Sequence, residues 1–353
     1  MIFDDKNFEK IIINIKCNIS EAIKILQQEG TQTLLVVDDK HNYLGTITDG
    51  DVRRSLLKNK NLSDNIFTTI NSKSVYVKKK LPEVFATQIM KKKQINLLPV
   101  VINKKIVGLY LIKEKKINKN KSEIIVIMAG GKGNRLLPLT KKTPKGMLKI
   151  DGKPILEHLV LKAINYGYSN LFFSVNYLAH KIKKYFADGY KGIATIKYLH
   201  EKKKLGTAGS LSLLKVEKNK NIIVMNCDIY TGLDLDKLLT YHKNNNADVT
   251  VVAKVAGRTS EYGVVISNGK QFKSIEEKLT YKDLINTGIY VFKSDCLSYL
   301  KNNFKIDMNQ FLSKLKNEKK KILVYPIYEY WYDIGGFTAL KNANLYSQKN
   351  EKI

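Results

Sequence analysis

Residues 128–140, MAGGKGNRLLPLT, concentrate groups that can do chemistry on an anion. Gly130, Gly131 and Gly133 allow backbone amides to approach a negative ligand closely and point toward it. The segment is not a Walker loop, because no Gly-Lys-Ser/Thr closes it at the right spacing. Nor is it a dinucleotide fingerprint, since Leu136 stands where the last glycine belongs. Arg135 adds fixed positive charge at the end of the loop, and Lys145, in Pro144-Lys145, offers a second cation. Asp228 follows the apolar run 222–226 (IIVMN), a position from which a carboxylate can face a ligand crevice, and Asp333 precedes Gly335-Gly336. Cys227 reads as buried packing rather than a nucleophile. None of the five histidines falls in these segments, and no paired spacing suggests zinc.

The elements that must position these groups are legible in the pattern of apolar residues. The loop follows IIVIM (124–128) directly, and further strands are predicted over 171–175, 193–199, 222–226 and 248–253. Between them, 155–166 carries a helical stripe of Ile155, Leu156, Leu159, Val160, Ala163 and Ile164, with Pro154 suited to its first turn. Strands and helices in alternation predict an α/β fold: a mostly parallel, Rossmann-like sheet with helices on both faces. Such sheets bind ligands beyond the carboxyl ends of their strands.

A smaller portion precedes this sheet. Residues 33–51 (TLLVVDDKHNYLGTITDGD) line up with 96–114 (NLLPVVINKKIVGLYLIKE), so that Leu34 falls on Leu97, Leu35 on Leu98 and Gly45 on Gly108. Each copy reads helix, strand, turn, strand, helix, and one copy alone cannot cover both faces of its sheet. The lysine-rich stretch 113–121 separates the portions, which gives 1–114 as the repeat pair, 115–122 as linker and 123–353 as the larger domain.

The repeat resembles a tandem CBS pair, most specifically through GTITDGD (45–51). That resemblance implies that Thr48 and Asp51 contact the phosphate and ribose of an adenine nucleotide effector. The second copy departs, with Leu111 and Glu114 in the equivalent places. The alternative is a pair that serves dimerisation only.

The larger portion resembles the bacterial sugar-1-phosphate nucleotidyltransferases, through AGGKGNRLLPLT (129–140) and TPKGMLKIDGKPILEHLV (143–160). The resemblance continues through Glu201 with Leu205–Gly209, Asn226-Cys227-Asp228, Glu261-Tyr262-Gly263, Glu277-Lys278, Asn286-Thr287-Gly288 and Trp331–Gly335. With a CBS pair in front, it narrows to the GTP-dependent glucosamine-1-phosphate guanylyltransferases of bacterial legionaminic acid pathways. The implied reaction joins a nucleoside triphosphate and a sugar 1-phosphate and releases pyrophosphate. The resemblance implies catalytic Arg135, Lys145 and Lys278. It implies nucleotide binding by Ala129, Gly130, Gly131, Gly133, Glu201, Gly206 and Thr207. Glu261, Tyr262, Gly263, Glu277, Asn286 and Thr287 line the sugar pocket in this reading. Asp228 and Asp333 suit Mg²⁺ bound to substrate phosphates, which takes few protein ligands. Glu201 stands at the base-reading position: an ionised carboxylate only accepts, and guanine presents two adjacent donors. Heptose or mannose 1-phosphate, or UTP or dTTP, are the nearest alternatives. A silent nucleotide-sensing protein is an alternative of another class, against which the intact charged set argues.

Composition bounds these readings. At 353 residues, 44% hydrophobic and 26% charged, the chain suits two globular domains. The net charge of +29 comes from 57 lysines and four arginines, among them Arg53, Arg54 and Arg258, and the lysines are spread along the chain. Arginine is the usual reader of phosphates and bases, so the charge reads as solvated lysine faces rather than a nucleic-acid footprint. Cys17, Cys227 and Cys296 make no disulfide framework, no apolar run approaches a membrane span, and the N-terminus lacks a signal-peptide pattern. A cytoplasmic homo-oligomer, with neither membrane nor nucleic acid as partner, is expected.

Overall fold

The computed structural model describes residues 2–4, 8–58, 60–111 and 121–350. It divides into two compact units, residues 1–116 with 255–283, and residues 117–254 with 284–353. Most of the predicted linker 115–122, and Glu114, lie outside the described residues.

In the first unit the first repeat runs β2 (Ile12–Asn14), α1 (Ile19–Gln28), β3 (Thr33–Val37), β4 (Tyr43–Thr48) and α2 (Asp49–Leu57). Helix α1 starts at a capping box, with Asn18 Oδ1 accepting from the Glu21 amide and Glu21 returning a carboxylate to the Asn18 amide. It buries Ile19, Ala22, Ile23 and Leu26, the stripe that faces the sheet. The second repeat has α3 (Glu83–Lys93), β5 (Leu97–Ile102) and β6 (Lys105–Leu111), and β1 (Ile2–Asp4) pairs antiparallel with β6. The helix expected to close this copy lies outside the described residues.

Strand register revises the repeat alignment. Gly45 pairs with Val36 and Gly108 with Val100, so Leu34 corresponds to Leu98 rather than to Leu97. The second hairpin is one residue shorter: the turn leads from Val37 to Tyr43 in the first copy and from Val101 to Ile106 in the second. A Cβ on Gly45 would stand 2.4 Å from the Asn71 carbonyl oxygen, which explains the glycine there.

The second unit is built on one eight-stranded sheet. Its strands in chain order are β7 (Ile124–Met128), β10 (Asn170–Val175), β11 (Gly189–Tyr190), β12 (Ala194–His200), β13 (Asn221–Asn226), β15 (Val249–Thr259), β18 (Thr280–Lys293) and β19 (Ile322–Ile327). The spatial order is β11-β12-β10-β7-β13-β18-β15-β19. β12, β10, β7 and β13 run parallel, as does β15 with β19, whereas β18 enters antiparallel to β13. Alternate residues of β7 serve opposite cores: Ile125 and Ile127 join Leu156, Leu159, Val160 and Ala163 of α4 (Ile155–Asn165), while Val126 joins Phe311 and Leu315 of α8 (Met308–Asn317). Burial on both faces is why β7 reads as an unbroken apolar run, each fully buried large side chain contributing about 1.5–3 kcal/mol.

The remaining elements are β8 (Lys149–Ile150) and β9 (Lys153–Pro154), which lead into α4, then α5 (Ala179–Phe186), α6 (Gly206–Gly209), α7 (Leu235–Asn244) and α9 (Phe337–Asn350). Two ribbons complete the chain, β14 (Ile229–Thr231) with β20 (Trp331–Asp333), and β16 (Val264–Asn268) with β17 (Gln271–Glu276). The β16–β17 ribbon belongs to the first unit although it interrupts the second in sequence. Among the described residues no helix is long and apolar enough to cross a membrane.

Candidate active site

At the carboxyl end of β7 the chain turns into the glycine loop, tethered by the Ala129 amide, which donates to the Ser174 carbonyl at 2.8 Å. A Cβ on Gly130 would come within 2.8 Å of Glu201 Oε1, and one on Gly133 within 2.9 Å of Thr140 Cγ2. Gly133 has φ +67°, and Thr140 Oγ1 closes the loop by donating to its carbonyl at 2.9 Å. The glycines therefore serve close approach and a left-handed turn together. Gly335 allows close approach of Arg135, whose guanidinium would meet a Cβ there at 2.8 Å.

Asp228 and Asp333 are brought together by the β14–β20 ribbon, in which Ile229 pairs with Asp333. The Ile334 amide donates to the Asp228 carbonyl at 2.7 Å and fixes the approach. Lys145 forms an ion pair with Asp228, both largely buried, and the Arg135 guanidinium lies 4.0 Å from Asp333. Partial burial and the neighbouring Asp228 carboxylate raise Asp333 above the usual carboxylate range, against the opposing pull of Lys145 and Arg135. Two hard oxygen donors that repel one another fit a divalent cation. Burial pushes the adjacent Cys227 thiol up to about 12, so it stays protonated and inert.

Glu201 directly follows β12 and is 7% exposed. Its Oε1 accepts from Ser174 Oγ at 2.5 Å and its Oε2 from the Leu205 amide at 3.0 Å. Those bonds hold the carboxylate in one orientation and use two of its four or so lone-pair positions. Gly206, at φ +81°, lies against the Ile306 carbonyl, and the Thr207 amide donates to Asp307 Oδ1 at 3.0 Å.

These parts enclose a cavity of about 460 Å³. Gly130, Gly131, Gly133, Arg135, Lys145, Glu201, Gly206, Thr207 and Asp228 all line it. Ala129 is buried beneath the loop rather than lining it. Lys204, Lys305, Ser174 and Asn226 also line the cavity. In the sequence nothing separates either lysine from the other lysines among the 57, and Asn226 stands out only as the residue before Cys227-Asp228.

The residues expected for the sugar divide between the units. Thr287 is buried and donates its hydroxyl to the Val252 carbonyl at 2.7 Å, while its own carbonyl accepts from the Trp331 indole at 3.1 Å. Asn286 is bonded to the Tyr290 hydroxyl at 2.7 Å and accepts from the Gly288 amide at 3.1 Å. Glu261, Tyr262, Gly263, Glu277 and Lys278 belong to the first unit, around the β16–β17 ribbon. There a Cβ on Gly263 would meet Glu277 Oε1 at 2.6 Å, and Tyr262 is 79% exposed. In the repeat, Thr48 and Asp51 form the capping box of α2: the Thr48 amide donates to Asp51 Oδ2 at 2.8 Å, and Arg54 holds Oδ1. Both side chains are thus engaged in the helix cap in this structure.

The chain is similar to known proteins. The nucleotidyl transferase family matches residues 124–350, and the CBS domain matches residues 9–58. The mannose-1-phosphate guanylyltransferase of Mycobacterium tuberculosis is 31% identical over 218 residues, which is 60% of this chain and 60% of that protein. The chain thus spans about three fifths of that relative's length. The D-glycero-alpha-D-manno-heptose 1-phosphate guanylyltransferase of Campylobacter jejuni is 34% identical over 214 residues, 60% of this chain and 93% of that protein. The crystal structure of HddC from Yersinia pseudotuberculosis superposes with a TM-score of 0.52 at 24% identity, over 64% of this chain and 99% of that one, a likeness of fold. A family match that starts at β7 and runs into α9 covers well over half of the sequence: the chain belongs to the nucleotidyl transferase family.

Proposed function

We propose that the chain transfers a guanylyl group from GTP to a sugar 1-phosphate and releases pyrophosphate. A sugar-phosphate oxygen attacks the α-phosphorus in line while negative charge grows on the departing pyrophosphate. Positioning and charge stabilisation therefore matter more than covalent chemistry. The loop amides and Arg135 meet the triphosphate. Lys145, paired with Asp228 in the structure, turns to phosphate oxygens when the substrate enters. Lys278 neutralises the sugar phosphate. Asp228 and Asp333 would hold Mg²⁺, which supplies charge neutralisation at the phosphates.

The observation that carries the choice of guanine is Glu201, a buried carboxylate fixed in the cavity wall with acceptor capacity to spare. Guanine offers its ring N–H and amino group side by side, whereas uracil offers one donor between two acceptors. Glucosamine 1-phosphate is the sugar we favour. Mannose and heptose 1-phosphates form a second reading, supported by the names of the Mycobacterium and Campylobacter relatives. The repeat pair acts as a regulatory module for an adenine nucleotide through Thr48 and Asp51. The deciding experiment is a pyrophosphate-release matrix of GTP, UTP, dTTP, ATP and CTP against a panel of sugar 1-phosphates. GTP with glucosamine 1-phosphate should give the highest kcat/KM, and equal turnover of UTP would overturn the assignment of the base.

A further inference from the structure

We infer that Lys305 completes the recognition of guanine by donating to its O6, the acceptor next to the two donors that meet Glu201. This rests on the guanylyl reading above and adds a specificity residue to it. Leu205 links the Glu201 carboxylate to the backbone next to Lys305. The Leu205 amide donates to Glu201 Oε2 at 3.0 Å, and the Leu205 carbonyl accepts from the Ile306 amide at 2.9 Å. Lys305 immediately precedes Ile306, and both Glu201 and Lys305 line the cavity. The strand of chain that carries Lys305 is pinned on each side. The Ile306 carbonyl accepts from the Ala208 and Gly209 amides, each at 3.1 Å. Cβ atoms on Gly206 and Gly209 would stand 2.5 and 2.6 Å from the Ile306 and Phe304 carbonyl oxygens. The backbone that carries the donor is thus set in place, and what a base must order on arrival is the exposed Lys305 side chain itself.

The chemistry is complementary position by position. Along one edge guanine presents an amino donor, a ring N–H donor and the O6 acceptor. Glu201 offers acceptors only, so it satisfies the first two and would repel the third. A lysine ammonium is a donor only, and O6 with N7 is the pair of guanine acceptors that lysine and arginine contact. Adenine would put its 6-amino donor against the cation. Uracil would put a carbonyl against Glu201. Lys204 also lines the cavity, from the residue before Leu205, and so serves as the control for Lys305.

The test uses GTP, 6-thioguanosine triphosphate, in which sulfur replaces O6, and inosine triphosphate, which lacks the 2-amino group. The readout is the ratio of kcat/KM values within each enzyme, so a general loss of activity cancels. Wild type should prefer GTP to the 6-thio analogue by about tenfold or more, the size of one good base contact. Lys305→Met should lose that preference and keep the preference for GTP over inosine triphosphate. Lys204→Met should keep both. An unchanged GTP to 6-thio ratio in Lys305→Met, or its loss in Lys204→Met instead, overturns the assignment to Lys305 and leaves the guanylyl reading standing. A wild type that takes UTP or dTTP and not GTP overturns both.

Discussion

At the scale of single residues the site is a balance of charge, and each role has a measurable signature. Arg135→Ala should lower turnover on the order of 10²–10³-fold, the cost of losing one donor aimed at charge that develops in the transition state. Steady-state kinetics on the folded variant checks it, and near-normal kcat would remove Arg135 from that role. Asp228→Asn and Asp333→Asn should each raise the Mg²⁺ concentration needed for half-maximal rate. Asp228→Asn also takes away the partner of Lys145. Metal titrations that coincide with wild type for both variants would reject the pair as ligands. Glu201→Gln keeps an acceptor for the Leu205 amide but replaces the other oxygen with a donor. The ratio of GTP to UTP turnover should fall, and an unchanged ratio would dissociate Glu201 from base reading.

At the scale of elements, α7 and β15 are tied by a buried His242 whose Nδ1 lies 2.8 Å from Thr250 Oγ1. Burial, and next the charge of Lys293, lower its imidazole to about 4 from an ordinary 6.5. Between those values the unfolded chain binds a proton that the native state does not. Stability should therefore be unaffected by this group above pH 6.5 and fall as pH drops toward 4, by roughly 1.4 kcal/mol per pH unit at most. Urea unfolding at pH 7 and pH 5 should show a smaller difference for His242→Gln than for wild type. Equal differences would mean that His242 titrates normally. Gly206 is the corresponding element-level constraint in the site. With φ at +81° and the Ile306 carbonyl in the way, Gly206→Ala must displace the segment that carries Lys305.

At the scale of the whole molecule, all eight strands of the large sheet lie after residue 121. A chain beginning at Ser122 should consequently fold and unfold in one cooperative urea transition, and a molten, non-cooperative product would show that the sheet depends on the repeats. Any adenine nucleotide that regulates the enzyme must bind two of its states with different affinity. Calorimetry and kinetics with AMP, ADP and ATP, on wild type and Asp51→Ala, test this. Absence of binding to wild type would leave dimerisation as the function of the repeat.

The strands β7, β10 and β13 were legible within a residue because each is buried on both faces and so is mainly apolar, whereas β12 showed through alternation, its buried Ala194, Ile196 and Leu199 falling between exposed Thr195, Lys197 and His200. The glycine loop and the two cations were legible because anion chemistry needs those residue types close together in sequence. Sequence could not supply pairings made by tertiary contact. β18 enters antiparallel from a distant part of the chain, and its register depends on β13 rather than on its own composition. The one-residue shift between the repeats was hidden by leucines at adjacent positions, Leu97 and Leu98, and the backbone pairing of Gly108 resolved it. Lys305 could not be distinguished among 57 lysines until Leu205, Ile306 and two glycines held it at the cavity wall, because a side chain's role depends on what faces it and not on its type.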